Sequence, residues 1–248
     1  MKRSILLLSF AFITTLASSQ VWTAKQASDW YAKQPWLVGC NYVPANAINE
    51  LEMWQAETWD PKTIDKELGW AESIGMNTLR VFLHDLLWQQ DAEGFKKRLA
   101  EFLAICEKHH IKPMLVLFDS VWDPNPKLGK QREPTPGVHN SGWVQSPGAA
   151  ALLDEKQYPR LEAYVKGVVG AFANDQRVLC WDVWNEVDNV NTNNYADPKN
   201  KLELVTKLLP MVFTWTRAAK PLQPAYLRSM EDRLCKFQRL HSYRKDPA

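Results

Sequence analysis

The 248-residue sequence contains no GxGxxG or GxxxxGK stretch, so the glycine-rich loops that cradle nucleotide phosphates are missing and nucleotide chemistry is disfavoured. Its four cysteines, Cys40, Cys106, Cys180 and Cys235, are widely spaced and form no CxxC pair, which excludes the common cysteine metal sites. Nor is there an excess of one charge. Thirty Lys and Arg stand against 28 Asp and Glu, a formal net charge of +2, and a chain so balanced gives no electrostatic reason to bind nucleic acid. Only one apolar run, Ile5 to Leu16, stands out, and Ser9, Thr14 and Thr15 break it below the roughly 20 residues that a transmembrane helix needs.

That run follows Lys2 and Arg3 and leads into Ala17-Ser18-Ser19, the order of a secretory signal cleaved before Gln20. Residues 1–19 are therefore expected to be a signal peptide, the protein to be secreted or periplasmic, and no membrane span to remain after cleavage. In an exported chain four cysteines permit disulfides. Cys40 and Cys180 fall in apolar strand-like runs and Cys106 on the apolar side of a helix, however, so buried free thiols are expected.

What is present in quantity is tryptophan, twelve residues, many beside Pro, Asp, Asn or Gly. Half fit core and rim packing. The others suit a surface on which a flat apolar ligand face, such as a sugar ring, can stack.

From Trp36 onward, apolar runs of strand length alternate with segments of helical period, the pattern of a parallel α/β fold. Strands are expected at 36–42, 77–83, 112–118 and 178–184. Helices are expected from the Asp60-Pro61 cap to Gly75 (inner stripe Ile64, Leu68, Ala71, Ile74), at 92–109 (Phe95, Leu99, Phe102, Cys106), at 159–173 (Leu161, Tyr164, Val168, Phe172) and at 200–219. The stretch from Ser120 to Pro159, rich in Pro, Gly, Asn and Trp, far exceeds the usual connection of about 2–6 residues, and loops of that size are usually functional. Pro221 and Pro224 fall where a fifth strand would begin, and no convincing fifth strand is visible.

Each strand ends on polar groups: Asn41, then Arg80 with His84 and Asp85, then Asp119, then Asn185 with Glu186. In a (β/α) barrel the carboxyl ends of the strands form the active-site rim. One mouth would thus gather Asn, Arg, His, Asp and Glu among tryptophans, a mixture suited to a carbohydrate.

The segment Trp181 to Asn189, WDVWNEVDN, resembles the Asn-Glu signature that closes the fourth strand of clan A glycoside hydrolases, especially the family 5 cellulases and mannanases. The resemblance spans about residues 36 to 220. It implies a (β/α)8 TIM barrel of which about the first four units are present, with 20–224 as the partial glycosidase domain. It further implies that Glu186 is the general acid/base, that Asn185 binds the sugar 2-hydroxyl, and that Arg80 orients the nucleophile carboxylate. One departure is Val187, where many members carry proline. Such chemistry needs an acid on the leaving oxygen and a second carboxylate at the anomeric carbon, and no cofactor.

Each of these residues also has a plainer reading. Glu186 could be a helix-entry glutamate and Arg80 an ion-pair partner inside the barrel. His84 and Asp85 could line a sugar site or cap the next helix. Asp119, Trp122 and Asp123 suit substrate contacts or turn chemistry, and Trp184 suits a sugar platform or the core.

A full barrel needs eight units in about 250 residues, whereas four have consumed the chain to Ala219. The nucleophile of the family lies at the end of strand seven, for which there is no place, and Glu231, in SMEDRLCK, is not assigned to that role. Residues 225–248 form a basic tail in which Leu227, Met230, Leu234, Phe237 and Leu240 have helical spacing. Either this tail is an amphipathic helix covering a half-barrel or, as favoured, the reading frame shifted near Pro224 and the domain is truncated. The expected function is a retaining glycoside hydrolase for a β-linked polysaccharide such as mannan, glucan or xylan, monomeric and with its nucleophile lost. The alternatives are a non-catalytic carbohydrate-binding remnant and an inverting enzyme with Asp119 or Asp85 as base.

Overall fold

The fold was analysed in a computed structural model that describes residues 22–189 and 198–228. The expected signal peptide, Glu231, Cys235 and all but the first four residues of the tail lie outside this range. In chain order the elements are α1 (Ala24–Tyr31), β1 (Gly39–Tyr42), α2 (Glu50–Trp54), α3 (Pro61–Ser73), β2 (Thr78–Phe82), α4 (Asp85–Lys108), β3 (Lys112–Val116), α5 (Ala149–Leu153), α6 (Tyr158–Ala171), β4 (Cys180–Asn185), α7 (Pro198–Ala218) and β5 (Ala225–Arg228). The five strands form one parallel sheet in the order β1-β2-β3-β4-β5. An order that follows the sequence never reverses, so right-handed crossovers stack every connecting helix on the same face. This is how a (β/α) barrel is wound, in contrast to a doubly wound sheet, where the order reverses.

Strand alternation divides the residues between the two faces. Leu79 and Val81 of β2, Leu115 of β3, and Trp181 and Val183 of β4 point to the helices, where they pack with Ile64, Leu68, Phe95, Phe102, Leu161 and Leu208. The opposite face carries Arg80, Met114, Cys180 and Asp182; its small apolar cluster of Met114, Leu179 and Cys180 is covered by Trp30 of α1, Leu37 and Tyr226. An arginine and an aspartate therefore sit within the concave side of the sheet, where burial is tolerated because they pair.

Local chemistry explains the element boundaries. Asp60 accepts from the amides of Lys62 and Thr63, both at 3.1 Å, and Pro61 occupies the first turn of α3. Helix α4 begins seven residues before the expected Ala92, because His84 accepts from the Leu86 amide at 3.1 Å. Asp91 breaks it with φ −158° and then caps the restart through the Gly94 amide at 2.8 Å.

Several expectations are corrected. A fifth strand exists: Ala225–Arg228 runs parallel to β4, with Trp181 opposite Ala225 and Asp182 opposite Tyr226. Leu227 thus belongs to a strand, and the residues at the start of the expected tail join the sheet. Ile74 is 71% exposed and lies outside the inner stripe of α3. Cys40 is exposed on edge strand β1, whereas Cys106 and Cys180 are buried free thiols. The long segment after β3 holds α5 and a 3-10 turn at Glu155–Gln157. Among the described residues no helix is long and apolar enough to cross a membrane.

Candidate active site at the strand ends

The carboxyl ends of β2, β3 and β4 bring Arg80, Asp119, Asn185 and Glu186 together. The Arg80 guanidinium on β2 donates from Nε to Asp182 Oδ2 at 2.9 Å, makes a second contact to the same oxygen, and donates to Asn185 Oδ1 at 2.9 Å. Asn185 in turn donates from Nδ2 to Asp119 Oδ1 at 2.9 Å. Its amide is therefore fixed end to end: the oxygen faces a cation and the nitrogen faces a carboxylate. One amide hydrogen and one oxygen lone pair remain for another partner.

Asp119 is 3% exposed. Its Oδ1 also accepts from the Val121 amide at 2.9 Å, while its Oδ2 is buried and has no hydrogen-bond partner. Burial pushes its carboxyl up to about 7, aided by the Glu186 charge and opposed by the Asn185 and Val121 hydrogen bonds and by Arg80.

Glu186 directly follows β4 and has left-handed backbone, φ 48°, a conformation that costs a non-glycine residue and recurs at functional sites. Its Oε2 accepts from Asn189 Nδ2 at 2.9 Å, and its carbonyl from the Asn189 amide at 3.0 Å. Behind this turn lies Lys201 of α7, 1% exposed, whose Nζ donates to the carbonyls of Ser120 at 2.5 Å and Asn189 at 2.7 Å. Burial lowers Lys201 to about 8, against the opposing pull of Asp119 and Glu186. The lysine thereby ties the exits of β3 and β4 together, and the Ser120 amide reinforces that tie by donating to the Asn185 carbonyl at 3.1 Å.

Two expected site residues are corrected. His84 is fully enclosed, accepts from Leu86 at Nδ1, and has Nε2 2.9 Å from the Gln145 carbonyl; burial lowers its pKa. It is a helix cap, out of reach of a ligand. Trp184 is 1% exposed, donates from Nε1 to Ser120 Oγ at 2.7 Å and packs on Phe118, which makes it core. Asp85 is likewise structural: buried, it accepts from Ser146 Oγ at 2.7 Å and Arg160 at 2.6 Å. Trp122 is half-buried, has φ 79°, and faces a cavity beside the β3 exit.

Asp182, Lys201 and Asn189 were not anticipated. Asp182 had a signal: an acid in the apolar run of β4, in the same strand phase as Arg80 across the sheet, needs a buried partner. Lys201 and Asn189 had none, since only tertiary packing brings α7 beneath the turn. Among the described residues no group of three or more His, Cys, Asp or Glu is placed to hold a metal ion.

No family model matches the sequence, and no curated protein does either. Solved structures do resemble the fold. GH5_18 from Streptomyces cattleya in complex with GlcNAc has a TM-score of 0.54 at 15% identity, over 77% of this chain and 44% of its own. A β-1,4-D-mannanase from Cryptopygus antarcticus has a TM-score of 0.53 at 9% identity, over 78% and 56%. An endo-1,4-β-mannanase from Rhizomucor miehei has a TM-score of 0.50 at 12% identity, over 73% and 55%. The chain thus spans about half the length of these structures. At such identities the likeness shows the fold alone: part of a (β/α) barrel like that of the family 5 glycosidases.

Proposed function

We propose that these strand ends form part of a glycoside hydrolase site for a β-linked polysaccharide such as mannan, glucan or xylan, with Glu186 as general acid/base. The observation that carries this reading is the left-handed Glu186 at the β4 exit, beside an Asn185 amide clamped between Arg80 and Asp119. Cleavage of a glycoside passes through an oxocarbenium-like state, and the leaving oxygen must receive a proton as the bond breaks. The reading assigns that proton to Glu186, the first residue beyond β4. The fixed Asn185 amide can meet an adjacent sugar hydroxyl with the hydrogen and lone pair still open.

A retaining reaction also requires a carboxylate about 5–5.5 Å from the acid, and no residue of this chain is assigned to it. Asp119 does not suit attack, because it is buried and engaged with Asn185; it orients the amide. The alternative, carbohydrate binding without cleavage, rests on the same cluster. Residues 1–19 are proposed to direct the chain to a secreted or periplasmic location as a monomer.

Reducing-sugar release by the full chain from linear mannan, glucan and xylan tests the assignment, alongside Glu186→Gln. Turnover that falls by about 10²–10⁴ in the variant supports hydrolysis. Binding without turnover selects the alternative, and neither binding nor turnover overturns both.

A further inference from the structure

Where α4 hands over to β3, at the amino-terminal end of the sheet and away from the strand ends that carry Glu186, the end of α4 meets α3 in a cluster of charge. The His109 ring lies between two carboxylates of α3: Nε2 is 2.7 Å from Asp65 Oδ1 and Nδ1 is 3.0 Å from Glu72 Oε2. Two further groups from the same helix end reach the same acids. Lys108 donates to both oxygens of Asp65 at 2.7 Å, and His110 Nδ1 is 2.6 Å from Glu72 Oε1. His110 has φ 56°, the left-handed position after a helix that glycine usually takes. Consecutive histidines thereby address the two oxygens of one glutamate.

A neutral imidazole has one N–H and one lone pair, whereas an imidazolium donates from both nitrogens. With acid oxygens at hydrogen-bond distance from both, a neutral ring would aim its lone pair at a carboxylate. The pose therefore belongs to the charged ring. The side chain is 12% exposed, and a Cβ added to Gly69 of α3 would lie 3.3 Å from its Cε1, so the ring rests against α3. Burial opposes the charge, but the hydrogen bonds to Glu72 and Asp65 outweigh it and raise the His109 pKa. Lys108 and then His109 hold Asp65 below the usual carboxylate range, as His110 and then His109 hold Glu72. The carboxyl end of α4 also favours a cation at this place.

We propose that His109 is a pH-dependent latch between α3 and α4, closed while its ring carries both protons and loosened once one is lost. Loss of a proton removes one of its two bonds and turns a lone pair toward Asp65 or Glu72. Because the folded pKa is raised, the latch contributes fully below the ordinary histidine value of 6.5, and that contribution is lost as pH rises through the folded value. What it holds is the helix over an edge strand. Glu67 of α3 accepts from Tyr42 Oη of β1 at 2.9 Å and from the Ala45 amide at 3.1 Å, so α3 and β1 loosen together. The latch stands whether or not the chain cleaves a glycoside.

Two measurements on the full chain test the latch. In an NMR pH titration of the histidine Cε1–H signals, His109 should have a midpoint above 6.5. Asp65→Asn and Glu72→Gln should each lower that midpoint and leave that of His139, in the loop after β3, where it was. Amide hydrogen exchange, corrected for the intrinsic rate at each pH, should show α3 losing protection relative to β4 by about tenfold or more between pH 6 and pH 9. In His109→Gln the protection of α3 should already be low at pH 6 and change little by pH 9. If that variant does not fold, Glu72→Gln takes its place and should show a smaller loss than the wild type. The latch is overturned by a His109 midpoint at or below 6.5, by a midpoint indifferent to both carboxylate variants, by equal α3 protection at the two pH values, or by a loss that β4 shares in full.

Discussion

Asp119 sits in an environment that departs clearly from its chemistry in water. Its carboxyl has one oxygen used twice and the other buried without a partner, and it holds its proton to about pH 7 where 3.8 is ordinary. Between those values the folded state keeps a proton that the unfolded chain has lost. Stability from this group is therefore greatest at low pH and falls as pH rises from about 4 to 7, by up to about 1.4 kcal/mol per pH unit for one proton. Lys201 acts in the opposite sense at higher pH: lowered to about 8 from 10.5, it has lost its proton in the folded state across that window, so its burden lifts as pH rises through it. Asp119→Asn cannot ionise. Urea unfolding should show this variant gaining on the wild type between pH 5 and pH 7.5, and a difference independent of pH would sink the account. The same residue shows the limits of reading a site from sequence. Its place at the end of β3 was legible from the apolar run before it, and so were those of Arg80, Asn185 and Glu186 at their own strand ends. Whether each side chain joins the polar cluster or the core was not, because His84 and Trp184 differ from them only in what three-dimensional packing puts beside them.

At the scale of elements, helix α6 offers a matched pair of glycines. An added Cβ at Gly167 would come within 2.1 Å of Cζ2 of Trp88, in the rigid body of the indole, whereas at Gly170 the nearest atom is 4.0 Å away. Alanine in a helix interior is worth about 1 kcal/mol over glycine, and overpacking a contact costs about 1–3 kcal/mol. Gly170→Ala should thus stabilise by up to about 1 kcal/mol, and Gly167→Ala should destabilise by about 1–2 kcal/mol because α6 must move off α4. Denaturant midpoints of the two variants decide the point, and equal shifts would refute the steric argument. Long elements with a continuous apolar face or run, such as β3 and α6, were legible from periodicity. The short ones were not. β5 has four residues directly after Pro224 and no apolar run of its own; it exists because Trp181 and Asp182 offer it a ladder. The first turns of α4 were hidden because Asp91 interrupts the helical period that marks the rest of the helix.

For the whole molecule, the sequential strand order decides where stability is concentrated. β2, β3 and β4 each pair on both sides, and their helix-facing residues lie in the main core; β1 and β5 pair on one side only among the described strands. The site draws Arg80 from β2, Asp119 from the exit of β3, and Asn185 and Glu186 from the end of β4, so its geometry is anchored in the part of the sheet that is hardest to open. Edge strands open by local fluctuation, whereas inner strands open only with the whole domain. Amide hydrogen exchange should therefore be slowest in Leu79–Phe82, Met114–Val116 and Trp181–Val183. In Gly39–Asn41 of β1, which are exposed, exchange should be faster by about 100-fold or more, equivalent to an opening cost lower by about 3 kcal/mol. Protection in β1 equal to that of β2 would mean that its outer edge is also paired, as in a closed barrel. In that case the concave face bearing Arg80 and Asp182 would be the interior of a ring, and the strand ends that carry Glu186 would form part of a full circular mouth.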